Sequence, residues 1–254
     1  MILTSKNNPL IKETAALKEK KARRETGLFL VEGVKMSQEC VLSDFEIERV
    51  FIAESYDGDL AWLTGLADKT VCVSDSVFRY LSDEKTPQGV LCRVRIPQRT
   101  LKKPTGACLL LDGVSDPSNV GAIIRSANAA GYKDIYLTRE CADPYAPKCV
   151  RASMSGVFFT NLYTAEREEI LSVLQEIPLI VADMGGVNAF TFSVPERFAL
   201  VIGNEGNGVS ETVRNEAKYT VKIPMRETQE SLNASVSAGI LMYLLKREEF
   251  SVEQ

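Results

Sequence analysis

The chain has 254 residues, 45% of them hydrophobic and 25% charged, a composition of soluble globular domains rather than of disordered or collagenous chains. Its net charge of −4 gives no overall pull toward a polyanion, no apolar run approaches the roughly 18 residues of a membrane helix, and the N-terminus lacks the apolar core of a signal peptide. It has no histidine, which removes the commonest general base and every Ser-His or Cys-His nucleophile pair.

Residues 1–26 read as one charged helix, with Leu10, Ile11, Thr14 and Leu17 along one side. This segment carries seven Lys and Arg against three Glu, so a basic arm is set on an acidic body. Lys20, Lys21, Arg23 and Arg24 are the candidate phosphate-binding residues; the alternative is a solvated helix face. Short strand-like runs follow at 28–31, 49–52, 71–73 and 90–94, separated by helix-like segments at 34–42, 60–67 and 75–81. That alternation suits a small α/β/α domain over residues 1–97. A second basic run holds Arg93, Arg95, Arg99, Lys102 and Lys103. Residues 98–106, rich in charge and closed by Pro104 and Gly106, read as a linker.

From 107 to 254 the elements lengthen. Strands are expected at 107–111, 135–137, 179–182, 199–202 and 220–223, and helices at 120–130, 146–155, 167–176, 209–217 and 234–247. Near-continuous apolar strands alternating with helices imply an α/β fold, a mostly parallel sheet with helices on both faces. The six cysteines (40, 72, 92, 108, 141 and 149) show no C-x-x-C pairing, so no metal site is expected, and reduced, mostly buried thiols in a cytoplasm are.

Three strand-end loops in this half describe one site. The first, LLLDGVSDPSNVGAIIRSAN (109–128), is an apolar strand, a polar loop and a helix start, with Arg125 early in the helix, where the dipole disfavours a cation. An exposed carboxylate or water would be the bland partner for that guanidinium. Asn119 either stabilises the loop or caps the helix. The second, FALVIGNEGNGVS (198–210), ends in glycines at 203, 206 and 208, which permit close backbone approach or positive φ; Glu205 is its one charge. Its spacing is neither a dinucleotide fingerprint nor a P-loop. The third, VKIPMRETQESLNASV (221–236), places Ser231 or Asn233 to cap the last helix.

LDGVSDPSNVGAIIRSANAAG, LVIGNEGNGVS and IPMRETQESLNASVSAG resemble, in order and spacing, the three motifs of the SpoU (TrmH-like) RNA methyltransferases of the SPOUT class. LTSKNNPLIK (3–12) and FLVEG (29–33) are similar to the start of two-domain members, whose first domain resembles ribosomal protein L30e. The resemblance implies methyl transfer from S-adenosylmethionine to a ribose 2′-hydroxyl, a C-terminal trefoil knot and a homodimer. The target it implies is structured RNA, ribosomal in preference to transfer RNA. A transfer RNA enzyme, or an inactive RNA-binding protein of the same fold, is the alternative. By motif position the catalytic candidates are Arg125, Glu205, Asn119, Ser231 and Asn233; the cofactor-binding ones are Gly203, Ile223 and Leu232, with Ile202 and Met225 as neighbours. A guanidinium is effectively always protonated, so Arg125 is expected to meet a phosphate or the developing alkoxide rather than act as a base. Glu205 is left as proton acceptor or as the group that holds Arg125 and the loop.

Overall fold

The computed structural model describes residues 2–228 and 231–251 and contains two sheets. The first uses β1 (Ile2–Leu3), β2 (Leu28–Glu32), β3 (Ile47–Ala53), β4 (Thr70–Val73) and β5 (Val90–Arg95), in the order β1-β4-β3-β5-β2. β1, β4 and β3 run parallel, and β5 is antiparallel to both β3 and β2.

The single N-terminal helix expected from the sequence is not formed. Ile2 and Leu3 add an edge strand beside Cys72 and Val73, and the rest splits into α1 (Pro9–Ala16) and α2 (Lys20–Thr26). Asn8 starts α1 by accepting from the N–H of Leu10, with Pro9 at the first helical position. The break has a physical cause: the guanidinium of Arg23 donates to the carbonyls of Leu17 and Lys18, both at 2.8 Å, satisfying groups a continuous helix would have used itself. α3 (Val34–Val41) and α4 (Asp75–Leu81) form as expected. The helix expected at 60–67 is instead two 3₁₀ turns, Ala61–Leu63 and Ala67–Lys69, interrupted at Gly65, whose φ of +82° no helix continues through.

The second sheet is parallel throughout. Its strands are β6 (Cys108–Asp112), β7 (Asp134–Thr138), β8 (Asn161–Ala165), β9 (Leu179–Asn188), β10 (Ala199–Gly203) and β11 (Ala217–Lys222), in the order β11-β9-β10-β6-β7-β8. Its helices are α5 (Pro117–Ala129), α6 (Pro147–Ser153), α7 (Gly156–Phe159), α8 (Arg167–Leu174), α9 (Glu211–Asn215), α10 (Ala234–Leu245) and α11 (Arg247–Ser251). Both sheet faces are covered. Leu109 and Leu111 share a core with Ile123 and Ile124 of α5 and Leu241 and Met242 of α10; Cys108 and Leu110 pack with Ile170 of α8 and Val213 of α9.

β8 and α7 are absent from the sequence-based expectation. β8 is a short edge strand with a polar start, held by Tyr163 stacking on Tyr136 at 5.2 Å. α6 stops at Ser153 because Met154 turns the chain with φ +48°.

Apolar side chains of the two sheets and their helices join in one core cluster. Phe29 meets Tyr145 with ring centroids 4.9 Å apart, and Phe45 meets Phe158 at 5.4 Å. Ion pairs flank it: Arg23 with Asp143 at 2.7 Å, and Arg151 with Asp83 at 2.8 Å and Glu84 at 2.7 Å.

Candidate active site

The chain reverses its winding direction between β6 and β10, and the loops after these strands meet at their carboxyl ends, the usual ligand edge of an open parallel sheet. Asp112 ends β6 and is buried; it accepts from Arg167 Nε at 2.8 Å and from the Ser210 N–H at 2.7 Å, tying the β6 end to the start of α9. Asp116, not Asn119, caps α5, accepting from the N–H groups of Ser118 and Asn119. Capping by its neighbour leaves the Asn119 amide free for tertiary work.

That amide joins the three motif loops. Asn119 Nδ2 donates to Glu205 Oε1 at 2.8 Å, and Asn233 Nδ2 donates to Asn119 Oδ1 at 2.9 Å. Asn233 caps α10 through its other atom, accepting from the N–H groups of Ser235 and Val236. Glu205 accepts three further bonds, from Ser115 N–H and Oγ, each at 3.1 Å, and from the Asp116 N–H at 3.3 Å. Partial burial pushes the Glu205 carboxyl up, but the Asn119 amide and the backbone N–H groups of Glu205, Ser115 and Asp116 outweigh it and hold the group below its ordinary 4.5. A carboxylate that is ionised and already engaged by four donors is a clamp and a poor proton acceptor.

Arg125 stands apart from this network. It lies ninth in the thirteen-residue α5, since the helix begins at Pro117, so the dipole cost inferred from an early position does not arise. Its side chain is exposed and, among the described residues, makes no hydrogen bond or ion pair; Glu205 does not hold it. Its backbone is braced by α7: a Cβ on Gly156 would lie 3.2 Å from the Arg125 Cα.

Ile202, Gly203, Ile223, Met225, Ser231 and Leu232 line one cleft of about 420 Å³ at the carboxyl ends of β9, β10 and β11, a size usual for small-molecule sites. Asp183 and Met184, from the middle of β9 where its register with β11 is interrupted, also line it, residues the sequence reading did not single out. Gly203, which lines the cleft, is also required by the chain's own turn. A Cβ there would fall 2.3 Å from the carbonyl carbon of Gly208 and 2.4 Å from the Val209 nitrogen, so it is the chain's own turn that presses on it. Asn204 and Gly208 close that turn with two backbone hydrogen bonds of 2.9 Å, and the Asn204 amide donates to Gly113 O at 2.8 Å. A second cavity, of about 400 Å³, opens at the amino ends of β6 and β7 beside α11 and holds none of the candidate catalytic or cofactor-binding residues.

The basic candidates separate. Lys20, Lys21 and Arg24 are exposed on α2, whereas Arg23 is 3% exposed and bound to Asp143, so it is a structural residue and offers no charge to a phosphate. The second basic run is largely neutralised: Arg93 is buried against Glu48, Arg95 pairs with Glu46 and Lys103 with Glu176. Gln229 and Glu230 of the third motif lie outside the described residues. Among the described residues no group of three or more acidic or cysteine side chains could hold a metal ion, and no helix is long and apolar enough to cross a membrane.

Comparison with known proteins assigns both parts of the chain. Residues 106–243 match the SpoU rRNA Methylase family, and residues 8–92 match the MRM3-like substrate binding domain. The 23S rRNA (guanosine(2553)-2'-O)-methyltransferase RlmP of Bacillus subtilis (strain 168) is 28% identical over 247 residues, 96% of this chain and 98% of its own length. The 23S rRNA (uridine(2479)-2'-O)-methyltransferase of Streptomyces viridochromogenes is 27% identical over 270 residues, 98% of this chain and 93% of its own. The solved structure of the SpoU methyltransferase AviRb from Streptomyces viridochromogenes in complex with AdoMet superposes with a TM-score of 0.88 at 27% identity, covering 96% of this chain and 99% of that one.

Proposed function

The chain belongs to the SpoU rRNA Methylase family, and from that premise we propose that it transfers the methyl group of S-adenosylmethionine to a ribose 2′-hydroxyl in structured ribosomal RNA. The observation that carries the reading is the Asn233–Asn119–Glu205 chain, which locks three separate loops together beside a cleft fit for a nucleoside. The lining suits the cofactor: Ile202, Ile223, Met225 and Leu232 offer apolar faces to an adenine, and exposed strand-end backbone offers hydrogen bonds. When bound, S-adenosylmethionine supplies an electrophilic methyl on a sulfonium.

The rest is positioning and charge. Arg125, without a partner among the described residues, takes a phosphate of the target nucleotide or stabilises the 2′-oxygen as it gains negative charge. Glu205 holds the β6 and β10 loops together, so the proton of the 2′-hydroxyl goes to water and not to this carboxylate. Ser231, on the cleft wall, contributes to the cofactor side. The relatives named above act on guanosine and on uridine, so what they share with this chain does not select the base.

The same proposal divides the chain into an L30e-like RNA-binding domain at 1–97, a linker at 98–106 and the methyltransferase domain at 107–254. Lys20, Lys21 and Arg24 form the RNA-facing charge. The trefoil knot belongs to this reading, supported by the late entry of β10 between β9 and β6, and a crystallographic trace would test it. So does a cytoplasmic homodimer, supported by exposed Val236 and Tyr243 on α10; light scattering giving a mass near 28.0 kDa for the active protein would contradict the dimer. The central test is transfer from isotope-labelled S-adenosylmethionine to unmodified 23S rRNA. Label should appear in an alkali-resistant dinucleotide; label on a base, or none, counts against the reading.

A further inference from the structure

Among the described residues three charged ones line the cleft: Glu205, Lys222 and Asp183. Glu205 is occupied by its four donors and Lys222 offers a cation. Asp183 differs from both. Its Oδ1 accepts from the Gly185 N–H at 2.9 Å and its Oδ2 from Arg214 Nη2 at 2.8 Å, which leaves each oxygen a further lone pair. The side chain is 28% exposed, and Arg214 of α9 and the Gly185 N–H within β9 fix its direction.

Strand order tells which part of a ligand Asp183 meets. The apolar wall of Ile223, Met225 and Leu232 follows β11; Asp183 follows the central part of β9; the Glu205 and Asn119 loops follow β10 and β6. An adenosyl sulfonium laid along that order puts its base against the apolar wall and its sulfur toward the loops where methyl is handed over. Its ribose, covalently between the two, falls over the middle of β9, where the register with β11 is interrupted beside Asp183. We propose that the Asp183 carboxylate accepts hydrogen bonds from the ribose hydroxyls of the cofactor's adenosine, with Arg214 as the positioning residue that orients the carboxylate. The inference rests on the methyltransferase reading.

Calorimetry on the full-length protein tests it with S-adenosylhomocysteine, its 2′,3′-dideoxy analogue and methylthioadenosine, which keeps the ribose but lacks the amino-acid end. The wild type should prefer S-adenosylhomocysteine to the dideoxy analogue by roughly tenfold or more, the worth of hydrogen bonds to a charged acceptor. Asp183→Asn should lose about that factor for both ribose ligands and bind the dideoxy analogue as the wild type does. Arg214→Ala should show a smaller loss in the same pattern. Equal wild-type affinity for the ribose and dideoxy ligands overturns the inference without any variant. So does an Asp183→Asn loss that spares methylthioadenosine, since the carboxylate would then serve the ammonium. A loss shared by the dideoxy analogue, meaning a general collapse of the cleft, overturns it too. If the wild type binds none of the three, the methyltransferase reading fails and this inference with it; wild-type binding that ignores Asp183 removes the inference alone.

Discussion

Among the motif side chains, commitment to partners separates roles that residue type leaves open. Among the described residues Arg125 has no partner and Glu205 has four donors, so an external anion is left to the first and loop geometry to the second. Arg125→Ala is therefore expected to cut methyl transfer by about a thousandfold while S-adenosylhomocysteine affinity stays within about twofold, measured by labelled transfer and calorimetry. Arg125→Lys should recover little of that loss, because an ammonium does not reproduce the planar fork. Glu205 yields a pH prediction. Its folded-state acidity lies below the ordinary 4.5, so the stabilisation it gives is complete above the unfolded value and is lost as pH falls through the lower folded one. Transfer should thus show no limb from Glu205 near neutrality, only an acid loss below the ordinary carboxylate range, and Glu205→Gln should lower the melting temperature at neutral pH. An activity limb near neutrality that vanishes in Glu205→Gln would restore the proton-acceptor role. The sequence displayed these residues but not their pairing. Asn119 is an equally good N-cap by type, and only the three-dimensional prior claim of Asp116 on the helix N–H groups frees it.

Elements were legible where their pattern is local. The buried strands β6, β7 and β10 read as continuous apolar runs because both faces of the sheet are covered. β1 was illegible because two residues show no periodicity, and β8 because its apolar pattern is broken by Asn161 and the exposed Thr164 at the sheet edge. The split of the N-terminal helix depends on one arginine folding back on two carbonyls, which periodicity does not encode. The packing of α6 and α7 on α5 was equally hidden, and it positions Arg125. Gly121 touches α6 so closely that a Cβ would lie 2.4 Å from the Cys149 carbonyl oxygen. Gly121→Ala should therefore destabilise the fold by about 1–3 kcal/mol in denaturant titration and reduce transfer more than S-adenosylhomocysteine binding. A neutral effect on stability would mean that the helices part without cost.

Across the whole molecule, charge divides between holding the two sheets together and facing outward. Arg23 lies in a basic run, yet burial and Asp143 make it a joint between the sheets, whereas its neighbours Lys20, Lys21 and Arg24 are exposed. Reversing the three exposed charges should weaken RNA binding and flatten its dependence on salt concentration while leaving the melting temperature near that of the wild type. Arg23→Met should instead lower the melting temperature, since a partly buried Asp143 is left without its partner. If the two variants behaved alike, the division would be wrong. Mapping 2′-O-methyl groups in 23S rRNA from cells with and without the gene tests whether the protein methylates a ribose of ribosomal RNA. One modification should disappear on deletion, return with the wild-type gene and stay absent with Arg125→Ala; a map unchanged by deletion would rule out methylation of 23S rRNA by this protein.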